Sequence, residues 1–449
     1  MKLFGTDGIR GVANEELTAD LAFKIGYATA VVIRKEIAKN SRVLIGRDTR
    51  VSGSMLEAAL IAGLTSVGAD VYTVGVMPTP AVAYLTRHYE CDAGIVISAS
   101  HNPFEYNGIK IFSHLGYKLQ DELEAEIESE VSGYDSATQL ISATNIGRHI
   151  PLDDSAHVYL THLRENFALD LTGLKMAIDC ANGASYHLAP ELFRELGATV
   201  HCIGTSPDGF NINANCGSTS PERLIELLRQ EGCDIGLAFD GDADRLLACT
   251  AEGEMVDGDG ILMILAADMQ REGRLLNNGV VATVMSNLAL DEFLRDRQIN
   301  LLKTAVGDRN VLEAMLAEGY CLGGEQSGHI ILLDHATTGD GMVSALALLA
   351  ALRRSAQSLA EAAEAWTIYP QVLINVRVPN DLKEKAMEDP DLKEQIAEFS
   401  EVLGQEGRIL VRASGTEPKL RVMIEGKNQR EIERMAKFLA NLISARYGI

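Results

Sequence analysis

Over most of its length the chain repeats one hydrophobic plan. In the clearest copy, an apolar run that ends in a polar turn (43–48) precedes a stretch of helical period and a second apolar run framed by glycines (68–75). Further copies occupy 176–204 and, more faintly, 280–307. Because each copy predicts a strand, a helix and a strand, we expect three related α/β units.

The C-terminal part of the chain follows another pattern. Short alternating runs at 373–378 and 408–424 predict strands. A final helix presents six apolar residues on one face: Ile432, Met435, Phe438, Leu439, Leu442 and Ile443. These elements predict a small α+β domain.

Polar segments at 132–147 and 253–260 predict boundaries between the units. The predicted domains are 1–152, 153–255, 256–368 and 369–449. The predicted fold class is therefore α/β, with three related βαβ-type mixed-sheet domains and a small C-terminal α+β domain around a central cleft. Such a cleft is the usual place for a ligand.

Charge and cysteine content narrow the class of protein. The 449 residues include 40 Lys and Arg against 63 Asp and Glu, a net charge of −23. This balance excludes a general nucleic-acid binder and argues against docking on an anionic membrane. Seven scattered cysteines without a C-x-x-C pair predict neither a disulfide framework nor a zinc cluster. With no signal peptide and no apolar stretch of membrane-spanning length, we expect a cytoplasmic protein.

Three aspartates alternate directly after an apolar run. Asp240, Asp242 and Asp244 follow residues 235–239 and precede Arg245. Alternate side chains of an extended segment point to one side, and converging carboxylates repel one another unless a cation compensates them. Hard oxygen ligands suit Mg²⁺. A solvated acidic turn is the structural alternative.

A serine-containing loop follows another apolar run. Ser98 and Ser100 come at its end, and an Asn-Pro pair after His101 fixes the turn. A serine displayed in this way can be a nucleophile or can hold a phosphate, which needs a nearby cation such as Lys110. Taken alone, the segment is equally explained by a turn serine beside a surface histidine.

A glycine-rich loop at 323–329 has chemistry suited to a sugar. Its glycines let the backbone approach a ligand closely. Glu325 and Ser327 offer acceptors for sugar hydroxyls, and His329 can carry a proton. A glycine-rich turn without a ligand is the alternative.

The segment 411–421 is a turn between two predicted strands. Its successive amides can form an anion-binding nest, and its arginines can hold a phosphate with their fork geometry. The residues concerned are Arg412, Ser414, Gly415, Thr416 and Arg421. An ordinary charged hairpin is the alternative.

These four loops, in this order, resemble the motifs of the α-D-phosphohexomutases over essentially the whole chain. The N-terminal loop Phe4-Gly-Thr-Asp-Gly-Ile-Arg-Gly and the loop Gly324-Glu-Gln-Ser-Gly-His are most similar to the amino-sugar branch of that family. The resemblance implies that Ser100 works as a phosphoserine. It also implies a role for each loop.

By this resemblance, the metal ligands for one Mg²⁺ per subunit would be Ser100, Asp240, Asp242 and Asp244. The substrate would be bound by Glu325, Ser327, Arg412, Ser414, Gly415, Thr416 and Arg421. The polar groups around the reacting phosphoryl group would be Arg10, His101, Lys110, Arg245 and His329. Lys110 or His329 would act as the base.

The implied activity is reversible isomerisation of glucosamine 6-phosphate to glucosamine 1-phosphate. It would proceed through a 1,6-bisphosphate of glucosamine, with that compound or glucose 1,6-bisphosphate as activator. The implied partners are small sugar phosphates, a second copy of the chain in a homodimer, and either a kinase or autophosphorylation that first loads Ser100. A hexose-specific phosphoglucomutase or phosphomannomutase, a Mg²⁺-dependent sugar phosphatase and a catalytically silent sugar-phosphate sensor stay open as alternatives.

Overall fold

The structure is a computed structural model that describes residues 3–5, 7–36, 41–135, 141–414 and 418–448. The chain divides into two compact units. The first consists of Met1–Ser286 and Arg297–Glu364, and the second of Asn287–Asp296 and Ala365–Ile449.

The strands of the described residues form four sheets, three in the first unit and one in the second. The first sheet contains β1 (Ile9–Val12), β2 (Arg42–Arg47), β3 (Asp70–Val76), β4 (Ala93–Ile97), β5 (Tyr106–Ser113) and β6 (His149–Pro151). The second contains β7 (Lys175–Asp179), β8 (Thr199–Ile203), β9 (Ile235–Phe239), β10 (Leu246–Thr250) and β11 (Met255–Val256). The third contains β12 (Gly279–Thr283), β13 (Asn300–Thr304), β14 (Leu322–Gly324) and β15 (Ile330–Leu332). The fourth contains β16 (Gln371–Arg377), β17 (Gly407–Ala413) and β18 (Lys419–Gly426).

The helices alternate with these strands along the chain. The first eight are α1 (Ala19–Glu36), α2 (Gly53–Ser66), α3 (Thr79–His88), α4 (Asp121–Ser132), α5 (Ser155–Phe167), α6 (Leu188–Glu195), α7 (Glu222–Glu231) and α8 (Gly258–Arg271). The others are α9 (Leu288–Asp296), α10 (Asp308–Glu318), α11 (Gly341–Ser355), α12 (Leu359–Ala363), α13 (Lys383–Met387), α14 (Pro390–Leu403) and α15 (Gln429–Tyr447).

The three sheets of the first unit share one topology. Their common parts have the strand orders β5-β4-β2-β3, β10-β9-β7-β8 and β15-β14-β12-β13. In each, the last three strands are parallel, and the first is antiparallel to its neighbour. The repeated strand-helix-strand pattern of the sequence is therefore confirmed as a repeated α/β architecture.

The second unit contains the three-stranded antiparallel sheet β16-β18-β17 together with helices, as the pattern of the C-terminal residues predicts. Four of the six apolar residues predicted for one face of α15 are buried: Ile432, Met435, Leu439 and Ile443. Phe438 differs, because 47% of its surface is exposed and its ring packs edge-on against Phe399. The sheet and helices thus form a small α+β core.

Long apolar segments of the chain are core elements. In α11, residues 341–352 are all buried. Within the described ranges, no helix combines the length and the apolar character that a membrane crossing requires. All seven cysteines are unbonded thiols.

The shared topology places the three predicted functional loops of the first unit at equivalent positions. The serine loop follows β4, the aspartate loop follows β9, and the glycine-rich loop follows β14. Each loop leads from the last parallel strand of its sheet into the antiparallel strand. One architectural position thus carries three different chemistries.

Candidate active site

Ser100 is buried after β4, and its side chain contacts the loop that follows β9. Its Oγ donates a hydrogen bond of 2.6 Å to Asp240 Oδ2 and lies 3.4 Å from His101 Nδ1. A Cβ atom on Gly241 would lie 2.4 Å from the Ser100 carbonyl oxygen, so glycine is needed for this close approach. The structure thus brings the predicted serine and the predicted metal loop into direct contact.

The three alternating aspartates converge. One carboxylate oxygen from each of Asp240, Asp242 and Asp244 lies within 4.8 Å of the other two, and all three residues are buried. Burial and the charges of the other two aspartates raise the pKa of Asp240 well above its usual value. Among the described residues, no hydrogen-bond partner reaches Asp242 Oδ1 or Asp244 Oδ1. Repelling, buried carboxylates with open lone pairs fit a hard divalent cation.

The ammonium group of Lys110 offsets part of this negative charge. Its Nζ is 2.9 Å from Asp242 Oδ2, 3.1 Å from Asp7 Oδ2 and 3.8 Å from Asp244 Oδ2. Burial alone would lower the pKa of Lys110, but these carboxylates raise it well above its usual value. Lys110 is therefore protonated at neutral pH, which suits it better to neutralise charge than to accept a proton.

The imidazole of His329 faces Asp244. Its Nδ1 lies 3.4 Å from Asp244 Oδ2, and its Nε2 lies 3.7 Å from Asp308 Oδ2. Burial would lower the pKa of His329, but the charge of Asp244 raises it to about 9. The Gly339 amide opposes a second proton, because it donates to Nε2 at 3.1 Å. We therefore assign the first proton to Nδ1, since an N–H group can donate only to an unprotonated nitrogen.

Three further predicted polar residues lie in the same network. The Arg245 guanidinium lies within 4.0 Å of two of the aspartates, and its backbone bridges to that of His329, which joins the aspartate loop to the glycine-rich loop. Arg10 forms an ion pair with Asp7. Burial, followed by the charges of Arg245 and Arg10, lowers the pKa of His101 to about 4, so its ring is neutral at pH 7.

The glycine-rich loop half-buries Glu325 and exposes Ser327. The Gly307 amide donates to Glu325 Oε1 at 3.0 Å and so orients that side chain. Gln326 of the same loop donates through Nε2 to Asp257 Oδ2 at 3.1 Å. This bond anchors the loop to the N-terminus of α8.

In the second unit, the predicted phosphate-binding arginines lie on a β-hairpin. Arg412 of β17 is directly opposite Arg421 of β18, so both side chains lie on the same face of the sheet. Ser414 is buried just beyond β17. Gly415 and Thr416 lie outside the described residues. Two adjacent guanidinium groups match the geometry that binds phosphate oxygens.

The sequence did not point to the residues that orient these groups. Thr79, at the start of α3, donates a 2.6 Å hydrogen bond to Asp242 Oδ2. Asp48, directly after β2, accepts a 2.6 Å hydrogen bond from Ser98 Oγ, which accepts the Ser100 amide at 3.0 Å. The sequence signal that could have found Asp48 and Thr79 is their position after predicted parallel strands, because the carboxyl ends of such strands lie at one edge of the sheet.

A buried serine beside a carboxylate cluster and a buried lysine is typical of a phosphoryl-transfer enzyme. Four profiles of phosphoglucomutase/phosphomannomutase match in sequence order. Their alpha/beta/alpha domains I, II and III match residues 1–138, 157–253 and 257–369, and their C-terminal domain matches 373–442. The chain belongs to the phosphoglucomutase/phosphomannomutase family.

Individual relatives agree with this assignment. The chain is 53% identical over 447 residues to phosphoglucosamine mutase of Acetivibrio thermocellus, and the match covers 100% of both chains. A phosphoglucomutase/phosphomannomutase family protein from Burkholderia thailandensis has the same fold, with a TM-score of 0.82, 24% identity and coverage of 99% of this chain and 97% of that one. N-acetylphosphoglucosamine mutase of Aspergillus fumigatus, solved with GlcNAc-6P and magnesium, superposes with a TM-score of 0.68, 17% identity and coverage of 98% and 95%. The last two similarities concern the fold.

Proposed function

We propose that this protein isomerises glucosamine 6-phosphate and glucosamine 1-phosphate, as a phosphoglucosamine mutase. The contact of Ser100 Oγ with Asp240, at the edge of the aspartate cluster, carries the proposal because it places a nucleophile at a site for phosphoryl transfer. The full-length similarity to a phosphoglucosamine mutase supports the amino sugar as substrate.

We propose Mg²⁺ as the cation of this site, held by Asp240, Asp242, Asp244 and Ser100. When bound, Mg²⁺ would neutralise negative charge on the transferring phosphoryl group. Lys110 and Arg245 would add fixed positive charge at the same place, since both contact the aspartates. Phosphoryl transfer depends chiefly on such neutralisation and positioning.

The proposed chemistry consists of two transfers through Ser100. In the first, the bond between phosphorus and Ser100 Oγ breaks, a bond forms to O1 of glucosamine 6-phosphate, and the hydroxyl proton of O1 ends on Oγ. His329 would relay this proton, since Lys110 supplies a fixed positive charge. It would donate its own proton to Oγ before it accepts the proton of O1. In the second, the bond between phosphorus and O6 of the resulting 1,6-bisphosphate breaks, a bond forms from phosphorus to Oγ, the proton of Oγ passes to O6, and glucosamine 1-phosphate leaves.

Substrate contacts follow from the two other loops. We propose that Glu325 and Ser327 bind sugar hydroxyls, and that Arg412, Ser414, Gly415, Thr416 and Arg421 bind the phosphate that does not react. We further propose domain boundaries near 152, 255 and 368, a homodimer, and a cytoplasmic location. Glucosamine or glucose 1,6-bisphosphate is the proposed activator.

The first test compares three substrates by ³¹P NMR with Mg²⁺ and a trace of bisphosphate. Glucosamine 6-phosphate, glucose 6-phosphate and mannose 6-phosphate are each supplied alone, and the 1-phosphate signal is followed. We expect glucosamine 6-phosphate to react at least about 10-fold faster, because one charged substituent lost or gained in a site changes binding by about that factor or more. Faster conversion of a hexose would assign a different substrate, inorganic phosphate as the main product would indicate a phosphatase, and binding without turnover would indicate a sensor.

A second expected result concerns the orientation of Asp242. Thr79→Val removes the hydroxyl that donates to Asp242 Oδ2, and we expect the affinity for Mg²⁺ to fall about 10-fold because outer-shell hydrogen bonds orient ligating carboxylates. Isothermal titration calorimetry with Mg²⁺ measures this. Thr86→Val is the matched control, since the buried Thr86 hydroxyl of the same helix donates to the Val82 carbonyl group. Equal Mg²⁺ affinity in both variants would contradict the proposed role of Thr79.

A further inference from the structure

The backbone of Ser100 has an unusual conformation for a serine. Its φ is +51°, in the left-handed region that L-residues other than glycine, asparagine and aspartate rarely adopt. Such a conformation persists only where the surroundings determine it. Because Ser100 is the proposed nucleophile, the groups that hold its backbone also set the direction of its Oγ.

Two side chains converge on the carbonyl groups of this loop. Arg50 Nη2 donates to the Ser100 carbonyl oxygen at 2.9 Å and to that of Asn102 at 2.8 Å. Asn213 Nδ2 donates to the same two oxygens at 2.9 and 3.0 Å. Arg50 Nη1 also donates to the Pro103 carbonyl oxygen at 2.5 Å. Each of the two shared carbonyl groups thus receives two hydrogen bonds, which is the full capacity of its oxygen.

Arg50 is itself fixed in place. Its side chain is fully buried, and its Nε donates to Asp48 Oδ2 at 2.9 Å. The same carboxylate oxygen accepts Ser98 Oγ, which accepts the Ser100 amide. Asp48, Arg50 and Ser98 therefore bind the amide and the carbonyl side of Ser100 in one closed network. A planar guanidinium can bond three carbonyl groups and a carboxylate at once, whereas a lysine cannot reproduce this fork.

Asn213 reaches the loop from a separate part of the chain. It lies between β8 and α7 in sequence, whereas Arg50 follows β2. Its own φ is +58°, which asparagine tolerates better than most residues. The loop of Ser100 is thus held by donors from two different α/β repeats.

We propose that Arg50 and Asn213 are positioning residues, which keep Ser100 left-handed and so hold its Oγ toward Asp240 for phosphoryl transfer. The inference rests on the proposed function of Ser100. Neither residue is among the groups proposed to bind the sugar, so their loss should lower kcat while leaving KM for glucosamine 6-phosphate nearly unchanged. A misplacement of about 1 Å at a reacting atom costs about 10²-fold in rate.

The test uses Arg50→Lys and Asn213→Gly in the full chain. Arg50→Lys keeps the positive charge and removes the fork, while Asn213→Gly removes the amide and accepts the positive φ without strain. With glucosamine 6-phosphate, Mg²⁺ and saturating bisphosphate, we expect kcat to fall about 10²-fold for Arg50→Lys and about 10-fold for Asn213→Gly, with KM within about 3-fold of the parent value.

Arg354→Lys is the matched control for the arginine. Its guanidinium forms two hydrogen bonds with the buried Asp268 of α8. Because the Arg354 side chain is 39% exposed and that of Arg50 is fully buried, we expect the Tm of Arg354→Lys to fall less than that of Arg50→Lys, with kcat unchanged. If Arg50→Lys fails to fold, Asn213→Gly carries the test alone, because its backbone conformation is preserved.

The outcomes separate this inference from the proposed function. A parent protein that converts no sugar phosphate would overturn the proposed function and this inference with it. An active parent whose Arg50→Lys and Asn213→Gly variants keep full kcat would overturn the positioning role alone. A fall in kcat with an equal rise in KM would indicate that Arg50 and Asn213 have a general structural role, and would overturn the positioning role. The same fall in kcat in Arg354→Lys would have the same meaning.

Discussion

Ser100→Ala is expected to abolish isomerisation and to leave the binding of glucosamine 6-phosphate measurable. Its Oγ is the atom proposed to carry the phosphoryl group, and it contacts Asp240 at 2.6 Å. Removal of a covalent nucleophile should lower kcat by at least about 10⁴-fold, because the remaining groups cannot form the covalent intermediate. Turnover is followed by ³¹P NMR, and binding by isothermal titration calorimetry.

Ser98→Ala is the matched control within the same loop. The Ser98 hydroxyl donates to Asp48 and accepts from the Ser100 amide. It therefore supports the backbone of Ser100, whereas Ser100 Oγ itself contacts the aspartate cluster. We expect this variant to lose activity only about 10-fold and to keep its phosphate on residue 100, as tandem mass spectrometry of the phosphopeptide would show. Full activity of Ser100→Ala, or phosphate on Ser98 in the parent protein, would contradict the phosphoserine mechanism.

The repeated fold was predictable because hydrophobic periodicity reports which faces of strands and helices are buried. The first two copies gave strong signals, since β2 and β7, their first strands, each contain four buried residues. The third copy was faint for a physical reason. Its helix is followed by Gln298, with φ +58°, at the position that Gly68 (φ +94°) and Gly197 (φ +95°) occupy in the first two copies, so the glycine that marks this turn is absent from its sequence.

The candidate site was predictable where chemistry is concentrated in one short segment. The three aspartates alternate within five residues and converge as predicted, but the segment is a turn with φ +56° at Ala243 rather than the extended strand that the alternation suggested. The contacts of Arg50 and Asn213 with Ser100 could not be derived in this way. They join residues 50 and 113 positions apart in the chain, and such contacts depend on how the repeats pack, which no local pattern encodes.

The charge states of the site also needed the structure. The sequence left Lys110 and His329 as alternative bases, because burial lowers the pKa of a lysine and proximity to carboxylates raises it. The distances show that the carboxylates of Asp242 and Asp7 lie close enough to Lys110 to outweigh its burial. For His329, the Gly339 amide donates to Nε2 and so opposes protonation of that nitrogen, and no sequence motif predicts this contact.

Removal of the cation is expected to stop the reaction, and Asp242→Asn should reproduce much of that loss. In this variant the side chain keeps its shape but loses its charge, and Lys110 retains Asp7 as an ion-pair partner at 3.1 Å, so the fold should persist. We expect Mg²⁺ affinity to fall at least about 10²-fold and kcat/KM to fall about 10²- to 10³-fold, because fixed charge at the transferring group is the main catalytic resource here.

Calorimetry with Mg²⁺ and turnover after treatment with EDTA measure the two effects separately. EDTA should abolish activity, and added Mg²⁺ should restore it in the parent protein but restore little in Asp242→Asn. Glu252→Gln serves as the control, since Glu252 is an exposed carboxylate in the turn between β10 and β11, and it should match the parent in both assays. Undiminished turnover in EDTA would contradict a metal-dependent reaction. Unchanged Mg²⁺ affinity in Asp242→Asn would place the cation elsewhere. The aspartate loop fits a cation because its three buried carboxylates converge and because Asp242 Oδ1 has no hydrogen-bond partner among the described residues.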